Sequence, residues 1–265
     1  MLKLALIGNG TIATYVAEKL ATSSEVKIVQ VICQPGREDE AKQMIGHDVD
    51  VILGADALNN DLDLIVDCAG HEALKEHGAT ILRRGFKFYT VSNGAMADPA
   101  IALEMENAAK EGKTSLRLLS GAVGAMDALS AAAVGGLDSV TYKGCKPSRG
   151  WKGTVAEDVL DLDQMSEPAE HFRGTAREAA LRYPKNANVA ATIALAGVGM
   201  DRTEVVLIAD PNATSNTHEI EVEGAFGKFM FRIDGKPLPN NPKSSALTAM
   251  NVVRVVLNEA AAVIS

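Results

Sequence analysis

The chain opens on a strand-length apolar run at residues 3–7 that stops at a glycine, and a helix-length amphipathic stretch follows. The run shows no polar alternation, as expected of a strand buried on both faces of a parallel sheet. In the stretch 11–21, Ile12, Val16, Ala17 and Leu20 recur at helical spacing on one face. The same unit repeats through the first half: strands are predicted at 26–33, 49–53, 63–69 and 86–92, with helices at about 38–46, 72–84 and 100–111. Strands alternating with helices at this spacing imply βαβ units and a parallel sheet covered on both sides. Near residue 118 the rhythm changes. Small-residue helices are predicted at 125–134 and 189–198, a strand at 139–143, and a charged loop-and-helix stretch at 155–183. Strands at 204–209, 218–223 and 228–233 read as an antiparallel sheet, the last two joined around Gly224 and Gly227. A proline-rich connector (237–242) leads to a long amphipathic helix over 244–264.

The pattern therefore predicts two α/β domains. Residues 1–118 form a doubly wound parallel-sheet domain of the Rossmann type, with the C-terminal segment 243–265 packing back on it. Residues 119–242 form a second domain with a mostly antiparallel sheet, expected to carry catalysis, substrate binding and dimerisation.

The first turn carries the cofactor signal. Gly8-Asn9-Gly10-Thr11-Ile12-Ala13 lies directly after a strand and before a helix, the context that gives a GxGxxA pattern its meaning. Gly8 permits the tight turn, Gly10 lets backbone approach a pyrophosphate, and Ala13 keeps helix and strand close. A diphosphate is then held by the unpaired N–H groups and dipole of the helix N-terminus. The acid that usually ends the second strand and binds the ribose 2′-hydroxyl is missing; the strand runs instead into Cys33-Gln34-Pro35-Gly36-Arg37. Nothing there repels a 2′-phosphate, and Arg37 is able to pair with one, so either NAD or NADP is expected. Cys68, Ala69 and Gly70, with Ser92–Ala95 and residues 120–122, follow later strands and are expected at the same crevice. His71 is a candidate catalyst there, although a histidine just after such a strand is more often a loop residue or helix cap.

Charge and cysteines narrow the function class. Lys plus Arg number 26 against 34 for Asp plus Glu, a net charge of −8, which argues against a nucleic-acid surface. Cys33, Cys68 and Cys145 form no CxxC pair and fit a reducing compartment. There is no signal-peptide pattern at the N-terminus and no apolar run of membrane-spanning length. A cytoplasmic protein without a membrane or nucleic-acid partner is expected. The scattered histidines predict no metal site.

Farther along, SGAVGAMD (120–127), KPSRGWKGT (146–154), NANVAATIALA (186–196), Asp201-Arg202-Thr203, Ala209-Asp210-Pro211 and Asn216-Thr217-His218 together resemble the L-aspartate dehydrogenase family over nearly the whole chain. The resemblance implies oxidation of L-aspartate by NAD(P)⁺ to iminoaspartate, and then oxaloacetate and ammonia. It also implies His218 as the active-site histidine, with Ala122 and Asn188 contacting the cofactor. On pattern alone His218 shares a strand face with Ile220 and Val222, which suits an ordinary hydrogen-bonded core histidine equally well. Asn188 before an apolar helix suits an N-cap. A substrate with two carboxylates needs cations; the candidates are Lys146, Arg149 and Lys152 around Trp151, and Lys243 before the last helix. A homodimer is expected from an open antiparallel sheet. Two rivals stay open: a homoserine dehydrogenase or dihydrodipicolinate reductase relative, whose catalytic clusters are not found, and a dinucleotide sensor without catalysis.

Overall fold

The computed structural model describes residues 1–184, 188–239 and 241–264, with the side chains of Pro242 and Lys243 outside that description. The chain divides into two compact units, residues 1–121 with 248–265, and residues 122–247.

In the first unit β1 (Leu2–Ile7), α1 (Thr11–Leu20), β2 (Val26–Ile32), α2 (Glu38–Ile45), β3 (Asp50–Ile52), β4 (Leu64–Asp67), α3 (His71–Arg83), β5 (Phe88–Thr90), α4 (Pro99–Glu111) and β6 (Leu116–Leu118) follow one another. The six strands pair in the order β3-β2-β1-β4-β5-β6, all parallel, which is the doubly wound order of dinucleotide-binding sheets. The unalternating β1 run is explained by its surroundings. Leu4 and Leu6 enter one apolar layer with Val16, Leu20 and Ile45, while Ala5 and Ile7 enter the opposite layer with Leu74, Ile81 and Met105.

The second unit is built from α5 (Met126–Gly135), β7 (Leu137–Pro147), β8 (Ala169–Thr175), α6 (Ala176–Arg182), α7 (Asn188–Ala196), β9 (Glu204–Asp210), β10 (Asn216–Gly224), β11 (Gly227–Gly235), β12 (Pro237–Leu238) and β13 (Asn241–Ser245). Its five-stranded sheet runs β11-β10-β7-β9-β8; β7 and β9 are parallel and the other pairs antiparallel. The chain then returns to the first unit as α8 (Ala246–Ala260), whose Val252, Val255 and Val256 join the layer of Leu4 and Leu6.

Three local expectations are corrected. The charged stretch 155–183 contains an edge strand, β8, hidden because a bulge at His171 breaks its alternation. The connector 237–242 is half of a small hairpin, β12 with β13, so α8 begins at Ala246 rather than 244. Asn188 is the first helical residue of α7, not a residue preceding it. Among the described residues no helix is long and apolar enough to cross a membrane, and no group of three or more His, Cys, Asp and Glu is placed to hold a metal.

Candidate active site

The turn after β1 is shaped by what lies beside it. Gly8 has φ +91°, a left-handed conformation that side chains disfavour, and a Cβ there would fall 2.8 Å from the Ala69 Cβ. The two turns at the carboxyl ends of β1 and β4 thus touch through the missing side chain. Buried Asp67 holds the second turn: its carboxylate accepts from Ala69 N (2.8 Å), Gly70 N (3.3 Å), Thr90 Oγ1 (2.6 Å) and Ser92 Oγ (2.5 Å). One carboxylate therefore ties the ends of β4 and β5 into a single rim, and every lone-pair direction is used. Sequence reasoning missed Asp67, because it reads as the last residue of an apolar strand.

The rim fits a dinucleotide. Gly10 is the N-cap of α1 in extended conformation, nothing lies within 4 Å of where its Cβ would be, and the first turn of α1 carries no acid. Asn9 is buried, and its Nδ2 has no hydrogen-bond partner among the described residues, the mark of a donor waiting for a ligand oxygen. Thr11 starts α1, Ile12 is half-buried against the core and Ala13 is fully buried where helix meets strand. Cys68 is buried with its thiol pushed upward by desolvation, so what it offers a ligand is backbone, not a thiolate. Arg37 is at the N-cap of α2, where its guanidinium grips Glu40 through two bonds, Nε at 2.8 Å and Nη2.

The second unit holds the histidine. His218 lies on β10 opposite Gly144 of β7, and period-two alternation sets Tyr142, Gly144 and Lys146 on that same sheet face. The other face carries the ion pairs of Lys143 with Glu219 and Glu221. His218 is only 5% exposed, and its Nδ1 lies 2.8 Å from the hydroxyl of fully buried Tyr142. Burial, then the field of Lys146, depress the imidazole to a pKa of about 4, so it is neutral at physiological pH. Because Tyr142 occupies Nδ1, proton transfer falls to Nε2. For Nε2 to act as a base, Nδ1–H must donate to the tyrosine oxygen.

Lys146 stands over the indole of Trp151, Nζ 4.8 Å from the ring centroid, and burial pulls its pKa down to about 8. Trp151 is wholly buried and anchored by Nε1 donating to Ile208 O at 3.0 Å. Lys152 faces solvent in a 2.5 Å pair with Asp163, and Arg149 is exposed. The expectation for the Lys243 side chain falls outside the described residues. Asn188 is half-buried, its carbonyl accepting from Thr192 Oγ1 at 2.8 Å; Ala122 is half-buried in the turn following Gly121.

Residues 127–259 match the family model described as "Aspartate dehydrogenase, C-terminal", and residues 8–119 match "Homoserine dehydrogenase, NAD binding domain". The chain is 51% identical to an L-aspartate dehydrogenase of Ruegeria pomeroyi over 98% of its own length and 94% of that protein. To an L-aspartate dehydrogenase of Cupriavidus necator it is 49% identical over 99% of each chain. Its fold is that of the crystal structure of aspartate dehydrogenase from Thermotoga maritima, with a TM-score of 0.76 and 24% identity, covering 100% of this chain and 99% of that one.

Proposed function

We propose that this chain, which belongs to the aspartate dehydrogenase family, oxidises L-aspartate with NAD⁺ or NADP⁺, yielding oxaloacetate, ammonia and the reduced cofactor. The observation that carries the catalytic assignment is the buried His218–Tyr142 pair beside the half-buried Lys146. When bound, the nicotinamide ring supplies a hydride acceptor for the substrate Cα–H.

The protein's own share is binding and proton handling. Gly8, Asn9, Gly10 and the α1 N-terminus from Thr11 to Ala13 hold the diphosphate, and the Cys68-Ala69-Gly70 turn supports the rest of the nucleotide. Ala122 and Asn188 add further cofactor contacts. Lys146 holds a substrate carboxylate. Nε2 of His218 accepts a proton, from the substrate ammonium before oxidation or from the water that hydrolyses the imine. The imidazolium so formed keeps its Nδ1–H on Tyr142. Burial keeps the ring unprotonated, and so able to accept, throughout the physiological range.

The test is a panel of L-amino acids with each cofactor, followed by absorbance and released ammonia, in wild type and His218→Ala. Turnover with L-aspartate is expected, and the variant should lose a factor of about 10²–10⁴ in kcat while still binding NADPH. Near-normal turnover in the variant removes His218 from the chemistry. NADPH binding without amino-acid-dependent reduction of NAD(P)⁺ would favour the sensor reading. The same family reading carries a cytoplasmic homodimer; β11 is a sheet edge with exposed Met230, and light scattering measures the mass.

A further inference from the structure

A second histidine stands on the face that carries His218. His171 is the extra residue of a β-bulge in β8: Glu170 pairs with Ile208 and Phe172 with Leu207, leaving His171 between them without a partner in the ladder. The bulge turns two successive residues inward, so His171 and Phe172 are both buried, at 7% and 6% exposure. The His171 ring meets Trp151 edge-on with centroids 4.3 Å apart, and Lys146 lies over that same indole. Nδ1 of His171 is 3.1 Å from the Tyr183 hydroxyl, whereas Nε2 is buried with no hydrogen-bond partner among the described residues. Buried imidazole nitrogens are rarely left so, and each exception calls for a ligand or a reason.

We propose that Lys146 and His171, seated on Trp151, form the subsite that takes one carboxylate of the dicarboxylic substrate, with the Lys146 ammonium and the His171 Nε2–H as its donors. The inference rests on the aspartate reading above and makes His171 a substrate-binding residue. The subsite requires the tautomer in which Tyr183 donates its hydroxyl hydrogen to Nδ1 and the ring proton sits on Nε2. The ring stays neutral because burial, and then the field of Lys146, hold its pKa down to about 4. A neutral donor beside a cation suits a carboxylate, and it adds no second buried charge when the site is empty. Lys146 also depresses His218. A carboxylate on Lys146 offsets that field, so seating the substrate raises the proton affinity of the base at the moment a proton must move.

The experiment compares wild type with His171→Phe, His171→Gln and Lys146→Met. Steady-state kinetics are run with L-aspartate at saturating NADP⁺. Succinate is titrated against the emission of Trp151, the chain's single tryptophan. Phe keeps the ring packing and removes the donor, and should raise KM for L-aspartate about tenfold, far more than it lowers kcat. Gln keeps a donor and should stay within about threefold of wild type. Lys146→Met should raise KM about a hundredfold and abolish the succinate response. An aspartate KM in His171→Phe within twofold of wild type overturns the subsite. So does an equal loss in Phe and Gln, or a wild-type Trp151 emission that shows no saturable response to succinate. A wild type inert toward L-aspartate but responsive to succinate through Lys146 defeats the reaction and leaves the subsite standing.

Discussion

Gly144 offers a test of the His218–Tyr142 pair that replaces neither residue. Its backbone is not left-handed, so alanine is conformationally permitted, but a Cβ there would lie 2.5 Å from the Tyr142 hydroxyl, 3.0 Å from Cζ and 3.3 Å from Leu207 Cδ2. Tyr142 is 1% exposed and has no room to yield without repacking. Gly144→Ala should therefore drive the hydroxyl off His218 Nδ1. Overpacking of this kind costs about 1–3 kcal/mol, and an imidazole nitrogen left unpaired in the core costs about 1–3 kcal/mol more. Together that is about 2–6 kcal/mol, or roughly 5–20 °C in Tm for a protein of this size. The kinetic effect is the sharper readout. With Nδ1 released, the ring is free to place its proton on Nε2, where it can no longer accept one, and kcat should fall at least about tenfold. Tyr142→Phe removes the hydroxyl and much of the clash together. In a double-mutant cycle, adding Gly144→Ala to Tyr142→Phe should cost far less kcat than adding it to wild type. Additive losses in kcat, or a Gly144→Ala enzyme with normal kcat, would refute the claim that Tyr142 fixes the histidine's tautomer.

How far the sequence disclosed this site follows from which signals are local. The glycine turn after β1 was legible because Gly8, Gly10 and Ala13 act through backbone freedom and close approach, which adjacent residue types encode. The parallel sheet was legible because both faces of β1 are buried, leaving an unbroken apolar run. Asp67 was not: its four bonds reach residues up to 25 positions away, and no spacing announces them. His218 was visible as a strand residue on an apolar face, yet its partner lies 76 residues upstream, so pattern alone left it a core histidine. His171 was hidden for a different reason. A bulge breaks the alternation that would have declared a strand, and the inward pair His171-Phe172 then reads as neither strand nor helix. Lys146, Arg149 and Lys152 looked equivalent along the chain. The indole under Lys146 and the Asp163 carboxylate on Lys152 separate them.

Two further expectations concern charge. Arg37→Ala should raise KM for NADP⁺ about tenfold with little change for NAD⁺, and Glu40→Gln, which releases the guanidinium, should lower KM for NADP⁺; parallel shifts for the two cofactors would exclude Arg37 from the 2′-phosphate site. The second concerns acid stability. His218 and His171 titrate near 4 in the fold against 6.5 unperturbed, each depressed by burial and by Lys146, with Tyr142 and Tyr183 as their neutral partners. A depressed folded pKa means that the unfolded chain binds these protons first. The stability held above pH 6.5 is therefore lost as pH falls from about 6.5 to 4, by up to about 3 kcal/mol for each ring. Thermal unfolding followed across that window should show Tm falling steeply, and His171→Phe should remove about half of the two-histidine share of the slope. Were the slope unchanged in that variant, His171 would have to be protonated or solvated in the native protein, and its Nε2–H could not be the neutral buried donor on which the carboxylate subsite depends.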